Sequence, residues 1–331
     1  MRLACCLAVS ICVFAGASQA AEWRAQRVDT PARVIAIEAA DGTARVNAGG
    51  LWYRVVTDGG QLKLAFVDTP AKPQLPSGAL PDGRIASGSR DILRAWLADP
   101  TSRYDRGIFG DPVQAGSLVI EGRDGKPNRV TLNNDAVFED LEPRLADLDG
   151  DGHDEIVVVK SYLKRGSALA VIGLNKGKYE IIGETPPIGQ PHAWLNPAGI
   201  ADFTGDGKID IALVRMPHAM GTLELWTWVD RKLRKAAELS DVANHISGTR
   251  ALDMSATADF DGDGIADLAI PSFDRSKLRI VAFAPKPREI ASIALPAKAV
   301  TNLALIAAGS GQPPMIAIGL SDGSLTVLRS D

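Results

Sequence analysis

Short apolar and β-branched runs, broken by Asp-Gly and Gly-Gly pairs, set the pattern of this chain. The first are Arg33–Ile37, Ala44–Val46, Leu51–Val56 and Leu62–Val67, separated by Asp41-Gly42 and Asp58-Gly59-Gly60. Runs of that length bounded by turn residues predict strands, here one small sheet. Thr69 to Gly83 holds Pro70, Pro73, Pro76 and Pro81, which fix φ and remove amide donors, so an extended connector is expected. Ser89–Asp99 sets Ile92, Leu93, Trp96 and Leu97 on one helical face, with Ser89 as cap and Pro100 as stop. A short helix at the rim is therefore expected. Gly116–Glu121 and Asn128–Leu132 flank Asp124-Gly125 as a hairpin. Farther on, Pro197–Phe203, Ile209–Val214, Thr222–Trp228 and Lys232–Leu239 predict one four-stranded unit, in which Leu223 and Leu225 alternate with Thr222 and Glu224. The C-terminal stretch offers only three strands, Leu303–Ala308, Met315–Gly319 and Leu325–Leu328. A strand near Arg33 is expected to supply the fourth and cover the open edge.

An acidic loop recurs at the start of three of these units. The copies begin at Asp147, Asp202 and Asp259, separated by 55 and 57 residues, a spacing typical of repeated supersecondary units. Oxygen-bearing side chains fall at positions 1, 3, 5 and 9: Asp147, Asp149, Asp151 and Glu155; Asp202, Thr204, Asp206 and Asp210; Asp259, Asp261, Asp263 and Asp267. Glycines fill positions 4 and 6, and an apolar run follows at once. Alternate inward carboxylates at the tip of a tight loop suit calcium, which takes six to eight oxygens in tolerant geometry. The backbone carbonyls of His153, Lys208 and Ile265 at position 7 are candidate further ligands. Without metal, three neighbouring carboxylates repel by about 1 kcal/mol per pair even in bulk water. Position 12 is Val158, Leu213 or Ile270 instead of the closing Glu of an EF-hand. Thr204 makes the middle loop the weakest. The metal-free alternative is an ordinary Asp-Gly turn.

These loops resemble those of the FG-GAP/VCBS repeat family, whose calcium-loop blades also build the integrin α-chain propeller. The likeness spans roughly Leu141 to Pro296. It implies an all-β fold, a single β-propeller of four-stranded blades. Six blades are expected, or seven if the stretch from Ala71 to Arg106 holds another. It also implies calcium at positions 1, 3, 5 and 9. The Phe-Gly and Gly-Ala-Pro elements that name the family are absent around the loops, which points to the VCBS-type subgroup.

Residues 1–20 read as a secretory signal: Arg2, an apolar run from Leu3 to Ala17, and a Ser18-Gln-Ala20 cleavage site. The propeller domain is then 21–331, in the periplasm or secreted, with no membrane span after cleavage. Cys5, Cys6 and Cys12 all lie in the signal, leaving the mature chain without disulfide or thiolate chemistry. The whole chain carries 36 basic and 40 acidic residues, a net charge of −4. The loop ligand positions hold four, three and four of the acids, so the remaining surface is near neutral. Nucleic-acid binding, which needs a basic stripe, is not indicated.

In a four-stranded unit the acidic loops, joining strands 1 and 2, lie at one end. The opposite end collects Tyr162, Lys164, Arg165, His192, Trp194, His218, His245, Asp274 and Arg275. This is the candidate ligand face, because loops on a rigid scaffold commonly carry function. The alternative is solvated or packed hydrogen-bonding residues. No nucleophile elbow, zinc-protease helix, phosphate loop or dinucleotide fingerprint is present. A binding or interaction module for a protein or carbohydrate is the leading expectation. A hydrolase or lyase with its site at the central channel, or a sugar-binding lectin, is the alternative.

Overall fold

In a computed structural model, residues 22–309 and 311–330 are described. The segment read as a signal lies outside them. Among the described residues there are strands, turns and bends but no helix. Among these residues no helix is long and apolar enough to cross a membrane.

The chain opens with β1 (Trp23–Val28). Then β2 (Val34–Ala40), β3 (Thr43–Ala48), β4 (Leu51–Asp58) and β5 (Gln61–Val67) form an antiparallel sheet in chain order. The proline-rich stretch follows without a named strand. Next come β6 (Ala86–Ser87), β7 (Ile92–Thr101), β8 (Gln114–Gly122), β9 (Pro127–Thr131), β10 (Ala136–Phe138), β11 (Arg144–Ala146), β12 (Glu155–Tyr162), β13 (Gly166–Asn175) and β14 (Lys178–Glu184). These nine form one sheet, because β10 pairs with both β8 and β12. The β8–β10 junction rests on the Phe138↔Ala115 pair, so the sheet reads as two units joined at one point. Two four-stranded meanders follow. One is β15 (Leu195–Ala201), β16 (Asp210–Arg215), β17 (Thr222–Val229) and β18 (Lys232–Leu239). The other is β19 (Ala256–Ala258), β20 (Asp267–Pro271), β21 (Lys277–Ala282) and β22 (Arg288–Ala294). The last sheet holds β23 (Ala304–Ile306), β24 (Met315–Gly319) and β25 (Leu325–Ser330), completed by β1.

Two expectations are corrected. The segment predicted as a helix is β7, paired with β8 from Ile92↔Gly122 to Thr101↔Gln114 and with β6 at Ala86↔Ala95. Ala95, Trp96, Leu97 and Ala98 are all buried. A strand covered on both faces loses its alternation, and the spacing of Ile92, Leu93, Trp96 and Leu97 then mimics a helical face. The strand that completes the last sheet is β1, not the run at Arg33. Trp23 pairs with Ser330 and Val28 with Leu325, while the Arg33 run continues into β2 of the adjacent sheet.

The second and third strands of the units are the most buried. Every residue of β20 is buried, as are the first five of β12 and β16. The fourth strands β14, β18 and β22 carry the exposed positions. Such continuous apolar strands require cover on both faces, and neighbouring sheets supply it: β15 lies against β19, β14 against β18, β1 against β22, and β2 against β23. The approach is close enough at Gly183 that a Cβ there would sit 2.7 Å from Cζ3 of Trp228.

Candidate metal centres and the opposite loop face

Each acidic loop joins the first two strands of its unit, and the same hydrogen bonds recur in all three. The position-1 carboxylate accepts from the glycine amides at positions 4 and 6. Asp147 accepts from Gly150 (2.8 Å) and Gly152 (3.1 Å), Asp202 from Gly205 (2.7 Å) and Gly207 (2.8 Å), and Asp259 from Gly262 (2.7 Å) and Gly264 (2.9 Å). These six glycines have φ between 70° and 90°, a conformation that other residues reach only at a cost. The position-5 carboxylate accepts from the amide of position 7: Asp151 from His153, Asp206 from Lys208, Asp263 from Ile265. The position-9 carboxylate turns back to position 2: Glu155 accepts from Leu148, Asp210 from Phe203 and Asp267 from Phe260.

Ligand oxygens converge in two loops. Carboxylate oxygens of Asp147, Asp149 and Asp151 lie within 4.8 Å of one another, as do those of Asp259, Asp261 and Asp267. Asp149 accepts no hydrogen bond from any described residue. An all-carboxylate donor set fits a hard divalent cation. Burial, followed by the loop's other carboxylates, pushes both Glu155 and Asp267 up to about 7. A bound cation would relieve that repulsion. The middle loop brings no such triad together among the described residues. Its Asp210 is instead held by the hydroxyls of Thr204 and Thr227.

Basic side chains reach each loop. Arg90, from the turn before β7, contacts Asp154 (2.8 Å) and Asp147 (3.8 Å). Lys208 folds onto Asp206 at 2.7 Å, and Arg288 at the start of β22 reaches Asp261 (3.1 Å) and Asp263 (4.0 Å). Asp91 accepts from the Asp154 amide and lies 3.3 Å from His153 Nδ1. Arg90, Asp91 and Arg288 were not legible as loop partners, because they lie outside the repeated motif. The side chain of Ile265 would lie 2.7 Å from a Cβ on Gly205, so the second and third loops abut.

The opposite face divides into separate groups. Trp194 (1% exposed) stacks on His218 at 6.0 Å and 2°, and meets His245 edge-on at 4.8 Å. His218 Nε2 and His245 Nδ1 are 2.9 Å apart, and His245 Nε2 is 3.0 Å from the Thr249 carbonyl. The carbonyl can only accept, so His245 carries its proton on Nε2 and accepts from His218. Burial lowers His245 to about 3, assisted by His218 and Arg106; the more exposed His218 is lowered in the same direction. His192 stands apart, stacked on Tyr104 with its Nε2 3.6 Å from Asp105. Tyr162 donates to Glu184, and the Arg165 guanidinium lies 3.8 Å over its ring. Arg275 is half-buried, with an Nε that has no hydrogen-bond partner among the described residues. The three histidines therefore do not converge.

Beneath Trp194 lies a group that no motif signalled. Glu139 is fully buried, accepts from Ser161, and has Arg106 Nε 3.8 Å from Oε1. Burial pushes its carboxyl up to about 7 against the pull of Arg106.

Residues 147–213 and 202–270 match the FG-GAP-like repeat family. No curated protein matches the chain. Among solved structures, a rhamnogalacturonan lyase, YesW, is similar at 16% identity and TM-score 0.44, over 84% of this chain and 55% of that one. The Bacillus licheniformis rhamnogalacturonan lyase PL11 is similar at 14% and 0.42, over 91% and 65%. The N-terminal domain of Nup159 is similar at 10% and 0.42, over 90% and 76%. The chain thus spans about half the length of the YesW chain.

Proposed function

From the premise that residues 147–270 are FG-GAP-like repeats, we propose that this chain is an exported, calcium-stabilised β-propeller that works as a binding module. Its four four-stranded sheets and the two units of the nine-stranded sheet would be six blades, with β1 closing the last one against β25. The apolar segment 1–20 supports export to the periplasm or beyond. Calcium would be structural. Asp147, Asp149, Asp151 and Glu155 would hold one ion and Asp259, Asp261, Asp263 and Asp267 another. Asp202, Thr204, Asp206 and Asp210 would form a weaker third site. Each ion would tie strand 1 to strand 2 of its blade, and binding to the folded chain alone would add stability.

The observation that carries this reading is the convergence of three carboxylates in each of two loops. Thermal unfolding in calcium and in excess chelator tests it. At ten times Kd, one site contributes about 1.4 kcal/mol, a shift of about 3–6 °C for a domain somewhat smaller than this one. Asp149→Ala should lose most of the first loop's share in calcium and almost nothing in chelator. Equal losses under both conditions, or no calcium shift in the unaltered chain, would remove the metal role.

A further inference from the structure

A cleft of about 500 Å³ opens between the β2–β3 turn and the first strands of the last two sheets, β19 and β23. Its volume lies within the range of small-molecule sites. Small residues such as Ala40, Ala256 and Ala304 keep it open, and five polar side chains line it: Asp41, Thr43, Arg45, Asp253 and Ser255.

The hydrogen-bonding capacity of those five is one-sided. Thr43 spends its hydroxyl proton on the Val55 carbonyl, and Ser255 spends its own on the Ala198 carbonyl. Both oxygens can then only accept from a ligand. The carboxylates of Asp41 and Asp253 add further acceptors. Asp253 is held in place by Arg84, 2.9 Å from its Oδ2, and Arg84 is itself tied to Glu142 at 3.1 Å. Among the lining side chains, Arg45 alone offers unspent donors. It is half-buried, yet makes no hydrogen bond or ion pair with any described residue. Its cross-strand neighbours do not neutralise it: Arg54 is a like charge, and Glu38 is not within ion-pair distance. The Arg45 guanidinium nitrogens keep access to solvent, so the fork is open to an acceptor that a ligand brings.

We propose that this cleft binds a small hydroxylated carboxylic acid. The ligand carboxylate would take the Arg45 fork, and its hydroxyl groups would donate to Asp41, Asp253 and the two spent hydroxyl oxygens. A bare phosphate would bring up to two negative charges against the carboxylates of Asp41 and Asp253, with a single arginine to offset them. A neutral sugar could accept from Arg45 through its hydroxyl oxygens but would leave the arginine charge uncompensated. The assignment rests on the binding-module reading and supplies that module with a ligand class.

Glucuronate is a suitable probe, with glucose as its uncharged counterpart. In calorimetric titration of the calcium-loaded mature chain, glucuronate should bind in the millimolar range and glucose about ten-fold more weakly or worse. Arg45→Gln should weaken glucuronate by about ten-fold or more while its calcium-dependent melting shift stays that of the unaltered chain. Asp41→Asn keeps the fold and one acceptor, and should weaken binding less. Absence of glucuronate binding, equal binding of glucose, or full binding by a folded Arg45→Gln chain would overturn the proposal. A missing calcium shift with intact glucuronate binding would instead overturn the calcium reading and leave the cleft assignment standing.

Discussion

Glu155 and Asp267 show how one carboxyl reports on a whole loop. Both are pushed up to about 7, first by burial and then by the neighbouring loop carboxylates. The folded chain therefore keeps protons that the unfolded chain releases. In chelator these two groups contribute stability that is full below their unfolded values and falls as pH rises through about 7. Calcium binds the ionised form, so its stabilising effect should grow over the same interval. His245 is lowered and contributes the opposite slope, losing stability as pH falls below its ordinary value. The clean measurement is therefore the difference in melting temperature between calcium and chelator at each pH. That difference should rise from about pH 5 to about pH 7.5. A flat difference would show that the loop carboxyls are already ionised without metal.

Single elements were legible where one end of a strand carries its own punctuation. The acidic loops, their glycines and the apolar strands after them follow from local spacing, and the structure places the loops between strands 1 and 2 as expected. The partners of the loops did not show, because Arg90 and Arg288 come from other segments of chain. Arg288 tests what such a partner does. It sits on Asp261 and Asp263 as a built-in counter-ion, half-exposed, and a divalent cation in the third loop would share those oxygens with it. Arg288→Ala should cost up to about 1 kcal/mol in chelator and tighten calcium binding by about two- to five-fold. Calcium titration calorimetry checks this, and unchanged affinity would show that the arginine does not compete. β7 is the converse case. Its sequence satisfies a helical face, and burial between β6 and β8 decides for strand.

For the whole molecule, the contact between the two ends of the chain matters most. β1 completes the last sheet, and Trp23 meets Phe260 of the third acidic loop edge-on at 5.7 Å. Deleting residues 22–28 should expose the β25 edge and remove the burial of Val28 and Trp23. The expected loss is about 3–6 kcal/mol, with association through the open edge. Denaturant unfolding and size-exclusion chromatography measure both effects. A monomer of unchanged stability would show that the terminal strand is dispensable.

The sequence by itself determined the acidic loops with their oxygen donors and most strand boundaries, whereas the all-β fold came only as what the likeness of those loops implies. The loops and the boundaries rest on residues within a dozen positions of one another, where turn chemistry and alternation act locally. Tertiary structure decided which strand completes the last sheet, that the two units of 86–184 share one sheet, and that Trp194 and His245 are buried rather than presented. It also decided which charges face the loops and the cleft. Those outcomes depend on contacts between segments far apart in sequence, such as Arg84 with Asp253 and Arg90 with Asp147. No local periodicity encodes them, because they exist only once the sheets have packed and excluded water between them.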